Sequence, residues 1–379
     1  MKFFKVNSLL LVVLLFIFSC QNDQIEEIKQ LEKFIPDSRV EIFDVDTEDG
    51  KTIVKTSNKT VFEKAQKIAQ DKIEIKFLPE KEFSTPYGVI NLSVANIRKE
   101  TRHGSTLITQ GTMGMPVKIY EKKGSWCRIQ TPDNYIGWVD GSGVHPMKEK
   151  EYKNWRTDDK IIFTDYTGFV YQSADSEEEV ISDIVLGNIL RLKGLEKGLY
   201  KVEFPDGRSG YVKSSQSEVF SKWLDKVDLN SKSLIKLAKK FLGSPYLWGG
   251  TSYKAMDCSG FVKTVFAMHG VILQRDASQQ ALYGKEISLE DNFSHLQPGD
   301  LLFFGRDHIT HVGMYIGNME FIHDAGRVRI NSLDEKAENF SGYRKSSIKI
   351  ARRIIGYTDS EGISTYATNE YYKLQRGKL

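Results

Sequence analysis

The sequence predicts an α+β protein of several domains, and three observations carry that prediction. A cysteine at the start of an apolar helical run, Cys258, is followed by strand-like segments that hold His311 and His323. An internal repeat offset by 73 residues fills the middle of the chain with short alternating strands. Ahead of both, a strand pair precedes an amphipathic stretch with helical spacing. A chain of 379 residues has room for all three, since about 100–200 residues per domain is usual.

In chain order, Lys2 and Lys5 form a short basic region, and Leu9 to Phe18 is an apolar run too short to span a bilayer comfortably. Ser19-Cys20 follows, and Ile17-Phe18-Ser19-Cys20 resembles the lipobox of a bacterial lipoprotein signal. Residues 1–20 are therefore expected to be a signal peptide, with Cys20 lipidated and the mature protein held on a bacterial membrane, on the periplasmic or cell-surface side. A plain secretory signal and a cytoplasmic protein with a fortuitous apolar start are the alternatives. Val40 to Asp46 and Thr52 to Thr56 then read as a strand pair and Val61 to Ile73 as an amphipathic helix, giving a small αβ region over 30–80.

The repeat aligns Gly114 with Gly187, Ile129 with Val202, Pro132-Asp133 with Pro205-Asp206, and Gly137-Trp138-Val139 with Gly210-Tyr211-Val212. Each copy has a Pro-Asp-Asn or Pro-Asp-Gly hairpin turn and an aromatic residue after glycine on the returning strand. The pattern resembles the bacterial SH3-like barrel, placed at 88–145 and again at 157–218.

Tyr246-Leu247-Trp248-Gly249-Gly250 and a turn-rich stretch precede Cys258, after which Phe261, Val262, Val265 and Phe266 recur at helical spacing until His269-Gly270. Cys258 is thus expected at a helix N-terminus, where unpaired N–H groups and the helix dipole favour thiolate over thiol. Downstream, 310–317 and 321–324 read as two strands of a hairpin that sets His311 beside His323. In that arrangement His311 takes the thiol proton and returns it to a leaving amine, while His323 fixes its orientation. A lone cysteine is more often a packed core residue, and a lone strand histidine a structural one. The conjunction of all three in this chain order, with Tyr246 just upstream, points to nucleophilic catalysis.

At these residues the chain resembles the NlpC-like family of cell-wall cysteine peptidases, over roughly 231–355. The segments that carry the resemblance are Phe241-Leu242-Gly243, Pro245-Tyr246 with Trp248-Gly249-Gly250, Asp257-Cys258-Ser259-Gly260-Phe261-Val262, Leu296-Gln297-Pro298-Gly299-Asp300-Leu301 and His311-Val312-Gly313. The resemblance implies a papain-like core, with the cysteine-bearing helix packed on an antiparallel sheet. It implies Cys258 as nucleophile, His311 as base and His323 as orienter. Tyr246 and the Cys258 backbone N–H become the oxyanion donors.

Two SH3-like domains ahead of such a domain resemble the enzymes that cut the γ-D-glutamyl to diamino acid bond of peptidoglycan stem peptides, before meso-diaminopimelate or lysine. The resemblance further implies a preference for a free N-terminal L-alanine, with Tyr135, Asp257, Ser259 and Asp276 around its ammonium. Tyr135 could instead pack on Trp138, and Asp276 could pair with Arg275 at the surface. Thr106, in Ser105-Thr106-Leu107, stands where the resemblance leads one to expect glutamate, which removes one charge from amine recognition.

Composition limits the other readings. The net charge of +3 falls to about +1 when Lys2 and Lys5 leave with the signal, so there is no electrostatic case for nucleic acid. With Cys20 assigned to lipid and Cys258 to catalysis, Cys127 remains as a packed residue, and no structural disulfide is expected. No cluster has zinc-ligand spacing, and the chemistry implied needs no cofactor or metal. The partners expected are stem peptides or muropeptides and, through the lipid, a membrane. Two rival readings stay open: a non-catalytic peptidoglycan-binding lipoprotein, and a cysteine amidase cutting another cell-wall amide. The residues 357–379 are polar and read as a loosely held tail.

Overall fold

The computed structural model describes residues 23–70, 72–176 and 178–373. The expected signal peptide and Cys20 lie outside the described residues. The chain divides into two compact units, one up to Ser84 and one from Thr85 onward.

In the first unit, strands β1 (Phe43–Glu48), β2 (Lys51–Thr56) and β3 (Ile73–Phe77) form a sheet in the order β1-β2-β3. β1 and β2 are antiparallel, and β2 and β3 are parallel, joined by helix α1 (Lys59–Ile68). Asn58 caps α1 by accepting a hydrogen bond from the Val61 N–H, and Val61 and Ala65 pack with Leu31. The helix is shorter than the expected stretch up to Ile73. Ile73 instead opens β3, in which Ile73, Ile75 and Phe77 alternate at strand period.

The second unit opens with two seven-stranded sheets. The first contains β4 (Tyr87–Ile90), β5 (Val94–Arg98), β6 (Leu107–Thr112), β7 (Pro116–Lys123), β8 (Trp126–Gln130), β9 (Ile136–Asp140) and β10 (Val144–Met147), in the order β10-β4-β7-β8-β9-β5-β6. Helix α2 (Glu149–Thr157) leads to β11 (Lys160–Phe163), β12 (Thr167–Tyr171), β13 (Val180–Val185), β14 (Ile189–Glu196), β15 (Leu199–Glu203), β16 (Ser209–Lys213) and β17 (Ser217–Val219). Their order, β13-β12-β16-β15-β14-β11-β17, is that of the first sheet once each strand is matched to its counterpart and the order is read backwards. Gly114 and Gly187, paired by the repeat, share a φ of +83°. The repeat thus records two copies of one small all-antiparallel fold.

Helices α3 (Phe220–Lys226) and α4 (Ser231–Lys240) follow, then the short strands β18 (Thr251–Ser252) and β19 (Ala255–Met256) and helix α5 (Cys258–Ala267). Beyond β20 (Val271–Ile272) and the short helix α6 (Ala277–Gln280) comes a six-stranded sheet, joined by β21 (Lys285–Ile287), β22 (Leu301–Phe304), β23 (His311–Gly317), β24 (Glu320–Asp324), β25 (Val328–Ser332) and β26 (Ile348–Arg353). Its order is β21-β26-β22-β23-β24-β25, with antiparallel pairing throughout, and the short helix α7 (Gly342–Ser347) precedes β26. Helix α5 buries Phe261, Val262, Val265 and Phe266 against Leu301, Phe303, Val312, Met314 and Ile322 of that sheet. Fully burying one such side chain is worth about 1.5–3 kcal/mol, so this seam holds helix to sheet. The fold is α+β, a helix bearing Cys258 packed on an antiparallel sheet.

The expected loose tail is corrected for residues 357–373. Strand β27 (Ser364–Thr365) pairs with β20, and Tyr366 packs edge-on to Trp223. Asn369 donates to the Pro132 carbonyl at 2.9 Å, and the Tyr371 hydroxyl donates to Gln130 at 3.0 Å. Composition marked the segment as polar, but four tyrosines between 357 and 372 carry enough apolar area to dock it.

Candidate active site

Helix α5 starts at Cys258 because Asp257 caps it. The Asp257 carboxylate accepts the Gly260 N–H at 2.7 Å, and the Asp257 carbonyl accepts the Phe261 N–H. A Cβ on Gly260 would lie 2.0 Å from the Gly250 carbonyl oxygen, so only glycine lets the first turn of α5 approach the Trp248-Gly249-Gly250 turn. Cys258 is 6% exposed, in the apolar cluster that also holds Val312.

The thiol does not follow the expectation of a lowered pKa. Burial first, and then Asp257, push it up to about 11, against a downward pull from the Val312 and Ser259 N–H groups and Arg275. In this enclosed position desolvation outweighs the N–H groups of the helix terminus.

His311 opens β23 and His323 lies in β24. The ladder pairs Met314 with Ile322, which carries the register to Gly313 opposite His323 and leaves His311 on the diagonal. Gly313 is what makes the diagonal reachable: a Cβ there would sit 3.0 Å from the His323 Cβ. The two rings meet at 88° with His311 Nε2 and His323 Nδ1 2.7 Å apart. His323 Nε2 lies 2.9 Å from Asn331 Oδ1, and the Asn331 amide donates at 2.9 Å to the Asn339 carbonyl.

That last bond fixes which end of the Asn331 amide is oxygen, and the tautomers follow. His323 carries its proton on Nε2 to donate to Asn331, so its Nδ1 is an acceptor. His311 then donates from Nε2, and its Nδ1 keeps the lone pair of a base. Burial, then Arg344, His323 and Arg329, hold His311 well below the usual histidine range. Burial pushes His323 down to about 4 despite the Asn331 bond. At neutral pH the resting groups are a neutral thiol and neutral imidazoles.

Tyr246 lies beside β19, bridged to Met256, with its N–H bonded to the Gly326 carbonyl. Its hydroxyl is pushed above the usual phenol range by burial, then by Cys258, Asp257 and Asp324, which puts it within electrostatic reach of the thiol.

Tyr135, on the turn between β8 and β9, donates from its hydroxyl to Asp276 at 3.0 Å. Asp276 also caps α6. The surface ion pair considered for Arg275 and Asp276 is replaced by a buried one. Arg275, 1% exposed, binds both Asp257 oxygens at 2.6 and 3.1 Å, the Ser259 hydroxyl at 3.0 Å and the Thr109 hydroxyl of β6 at 3.0 Å. Burial alone would lower Arg275, and Asp257 more than offsets it. Asp257 and Ser259 therefore face Arg275, and Asp276 supplies the net negative charge next to Tyr135. Thr106 is exposed at the end of the same barrel segment.

The roles of three residues escaped the sequence reading. Arg275 links cysteine helix and first barrel across 166 residues, a separation that no local pattern reports. Asn331 sets the histidine tautomers from β25, and a single asparagine in a strand carries no signal. Asp324 is fully enclosed, with neither carboxylate oxygen bonded among the described residues; burial, then Asp257, push its carboxyl up to about 7. Cys127 is a buried free thiol, raised by burial. Among the described residues no group of three or more His, Cys, Asp or Glu is arranged to hold a metal.

Comparison with known proteins bears on this geometry. Residues 243–343 match the NlpC/P60 family and residues 93–145 the bacterial SH3 domain. The chain is 30% identical over 233 residues to a gamma-D-glutamyl-L-lysine dipeptidyl-peptidase of Bacillus cereus, covering 58% of this chain and 68% of the relative. A protein of the same name from Bacillus subtilis is 30% identical over 227 residues, covering 57% of this chain and 71% of the relative. Among solved structures, an NlpC/P60 family protein from Bacillus cereus superposes with a TM-score of 0.60 at 25% identity, over 70% of this chain and 99% of that one.

Proposed function

The chain belongs to the NlpC/P60 family of cysteine peptidases, and from that premise we propose that it hydrolyses the γ-D-glutamyl to diamino acid bond of peptidoglycan stem peptides, on substrates with a free N-terminal L-alanine. The observation that carries the reading is the directional chain from His311 through His323 to Asn331, which leaves His311 Nδ1 with the lone pair of a base, one residue before Val312, whose N–H acts on the Cys258 thiol.

In this reaction Cys258 Sγ gives its proton to His311 Nδ1 and attacks the scissile carbonyl. The oxyanion formed is held by the Tyr246 hydroxyl and the Cys258 backbone N–H, each donor worth about 3 kcal/mol of barrier. The imidazolium then protonates the leaving amine, and the thioester is hydrolysed by a water that His311 deprotonates. Thiol and imidazole are both neutral at rest, so the ion pair forms when substrate arrives and lives only while the carbonyl can receive the thiolate. His323 acts through His311: its Nδ1 accepts from the imidazole throughout, and this supports its role as orienter.

The alanine ammonium is received by Tyr135 and Asp276, with Asp257 and Ser259 held in place by Arg275. Charge supports this assignment. Asp257 and Arg275 cancel, so the pocket is negative by Asp276, and a glycan-linked amide would leave that carboxylate without its cation. In this reading 231–355 is the catalytic domain, and 88–145 and 157–218 are SH3-like domains, the first of which carries Tyr135. The segment 30–80 is a separate small αβ region. Among the described residues no helix is long and apolar enough to cross a membrane, and attachment through lipid on Cys20 belongs to the proposal. Action on cell-wall peptides outside the cytoplasm agrees with that attachment.

Mass spectrometry of L-Ala-γ-D-Glu-meso-diaminopimelate, free and attached to muramic acid, tests the reading. Release of L-Ala-γ-D-Glu from the free peptide alone, abolished by Cys258→Ala, is expected. Cleavage of both substrates would remove the amine gate, and cleavage of neither would remove the proposed bond.

A further inference from the structure

Away from the contacts of Tyr135 and Asp276, the histidine pair is flanked by arginines. The Arg344 guanidinium lies 5.5 Å from the Phe304 ring and 5.4 Å from the Tyr343 ring. Phe304 is the ladder partner of His311, with ring centroids 5.8 Å apart, so Arg344 covers the aromatic that backs the base. Arg329 is the ladder partner of His323 on β25 and is exposed. Arg306 caps the other end of this group, 6.0 Å from the ring of Tyr343, itself 57% exposed.

Like charges gathered beside a catalytic imidazole need a reason. Burial and then Arg329 lower the affinity of Arg344 for its proton, and the groups that raise it are Tyr343 and Cys258, with no carboxylate among them. Among the described residues neither Arg329 nor Arg344 has an ion-pair partner, whereas Arg352 and Arg353 on β26 are paired with Glu286 and Asp300. A half-buried guanidinium, Arg344, beside a second, exposed one lowers stability unless an anion joins them, and such arrangements concentrate at functional sites. A guanidinium fork is shaped for carboxylate.

The position decides which carboxylate. The leaving amine must reach His311 to receive its proton, so the residue that carries this amine lies on the His311 side of Cys258, against Arg344 and Arg329. We propose that Arg329 and Arg344 form a carboxylate-binding subsite for the leaving diamino acid, which makes the enzyme prefer a third stem residue with a second carboxylate, a diaminopimelate, over lysine. The inference rests on the reaction proposed above and adds to it. The cleft is then polar along its length: a carboxylate for the substrate ammonium at one end and arginines for its carboxylate at the other.

The test compares kcat/KM for L-Ala-γ-D-Glu-meso-diaminopimelate and L-Ala-γ-D-Glu-L-Lys in the full chain, the Arg344→Gln and Arg329→Gln variants and the double variant. An about tenfold preference for diaminopimelate is expected, the discrimination of one well-formed charge contact, and it falls toward unity in the double variant. Because Arg344 lies over Phe304, the aromatic that backs the base, binding of free meso-diaminopimelate and L-lysine to Cys258→Ala protein gives a readout independent of turnover, with diaminopimelate binding more tightly and the difference lost on adding both glutamines. A ratio near unity in the unaltered enzyme, or one that the double variant leaves in place, would overturn the subsite while leaving the reaction standing. Cleavage of neither peptide would instead remove the reaction and the subsite with it.

Discussion

At the scale of single residues, a hydrogen-bond direction decides the chemistry. The Asn339 carbonyl orients the Asn331 amide, which orients His323, which leaves His311 with its lone pair on Nδ1. His311 is held well below the usual histidine range, so the neutral base persists into acid, and activity is lost only as pH falls through that lowered value. The acid limb of kcat/KM is therefore expected to have its midpoint below about 6.5, the ordinary histidine pKa. A midpoint at or above that value would contradict the burial argument. Asn331→Asp places a carboxylate on His323 Nε2 and raises the histidine pKa values, so the limb moves toward higher pH. Asn331→Leu removes the tautomer constraint and is expected to lower kcat about tenfold to a hundredfold, the usual cost of losing an orienting partner. The same pH series on both variants checks the pair of outcomes.

At the scale of elements, the cysteine is placed by a helix that starts where it does for three separate reasons. Asp257 caps it, Arg275 neutralises and holds the cap, and Gly260 lets its first turn meet the Gly250 carbonyl. Gly260→Ala has no side chain to rotate out of the way, since the contact is with backbone. It is expected to cost about 1–3 kcal/mol through overpacking and to shift Cys258 away from His311, read as a lower melting temperature with kcat reduced in the folded fraction. A variant that melts as the parent does would show that the turn yields. The Asp-Cys-Ser-Gly tetrapeptide was legible as a helix start because cap, polar first turn and apolar spacing are local. Arg275 was not, because its partners come from two distant segments, Thr109 of the first barrel and Asp257-Cys258-Ser259 at the helix start.

At the scale of the whole molecule, the second unit ties the first barrel to the cysteine domain with bonds that sequence spacing could not report. Gln110 accepts from the Thr251 N–H and the Ser252 hydroxyl, Lys263 pairs with Asp133 at 2.7 Å, and Tyr135 reaches Asp276. The segment 357–373 closes the arrangement, with Asn369 on Pro132 and Tyr371 on Gln130 bracketing the turn that presents Tyr135. This strap is expected to set substrate choice more than chemistry. Asn369→Ala with Tyr371→Phe should weaken discrimination against N-blocked stem peptides by about threefold to tenfold, the effect of one or two lost hydrogen bonds, mostly through KM for the free peptide. Unchanged discrimination would make the strap a stabiliser alone, and a thermal melt on the same protein separates the two.

By itself the sequence determined the α+β class, the repeat, the cysteine at a helix start and the two histidines on neighbouring strands, because each is written in local period, turn chemistry or cap. The tertiary structure decided the thiol's protonation, the tautomers, the Arg275 web, the docked strap and the arginines beside the base. Those depend on desolvation and on charges brought together from distant segments, and neither quantity exists until the chain has folded.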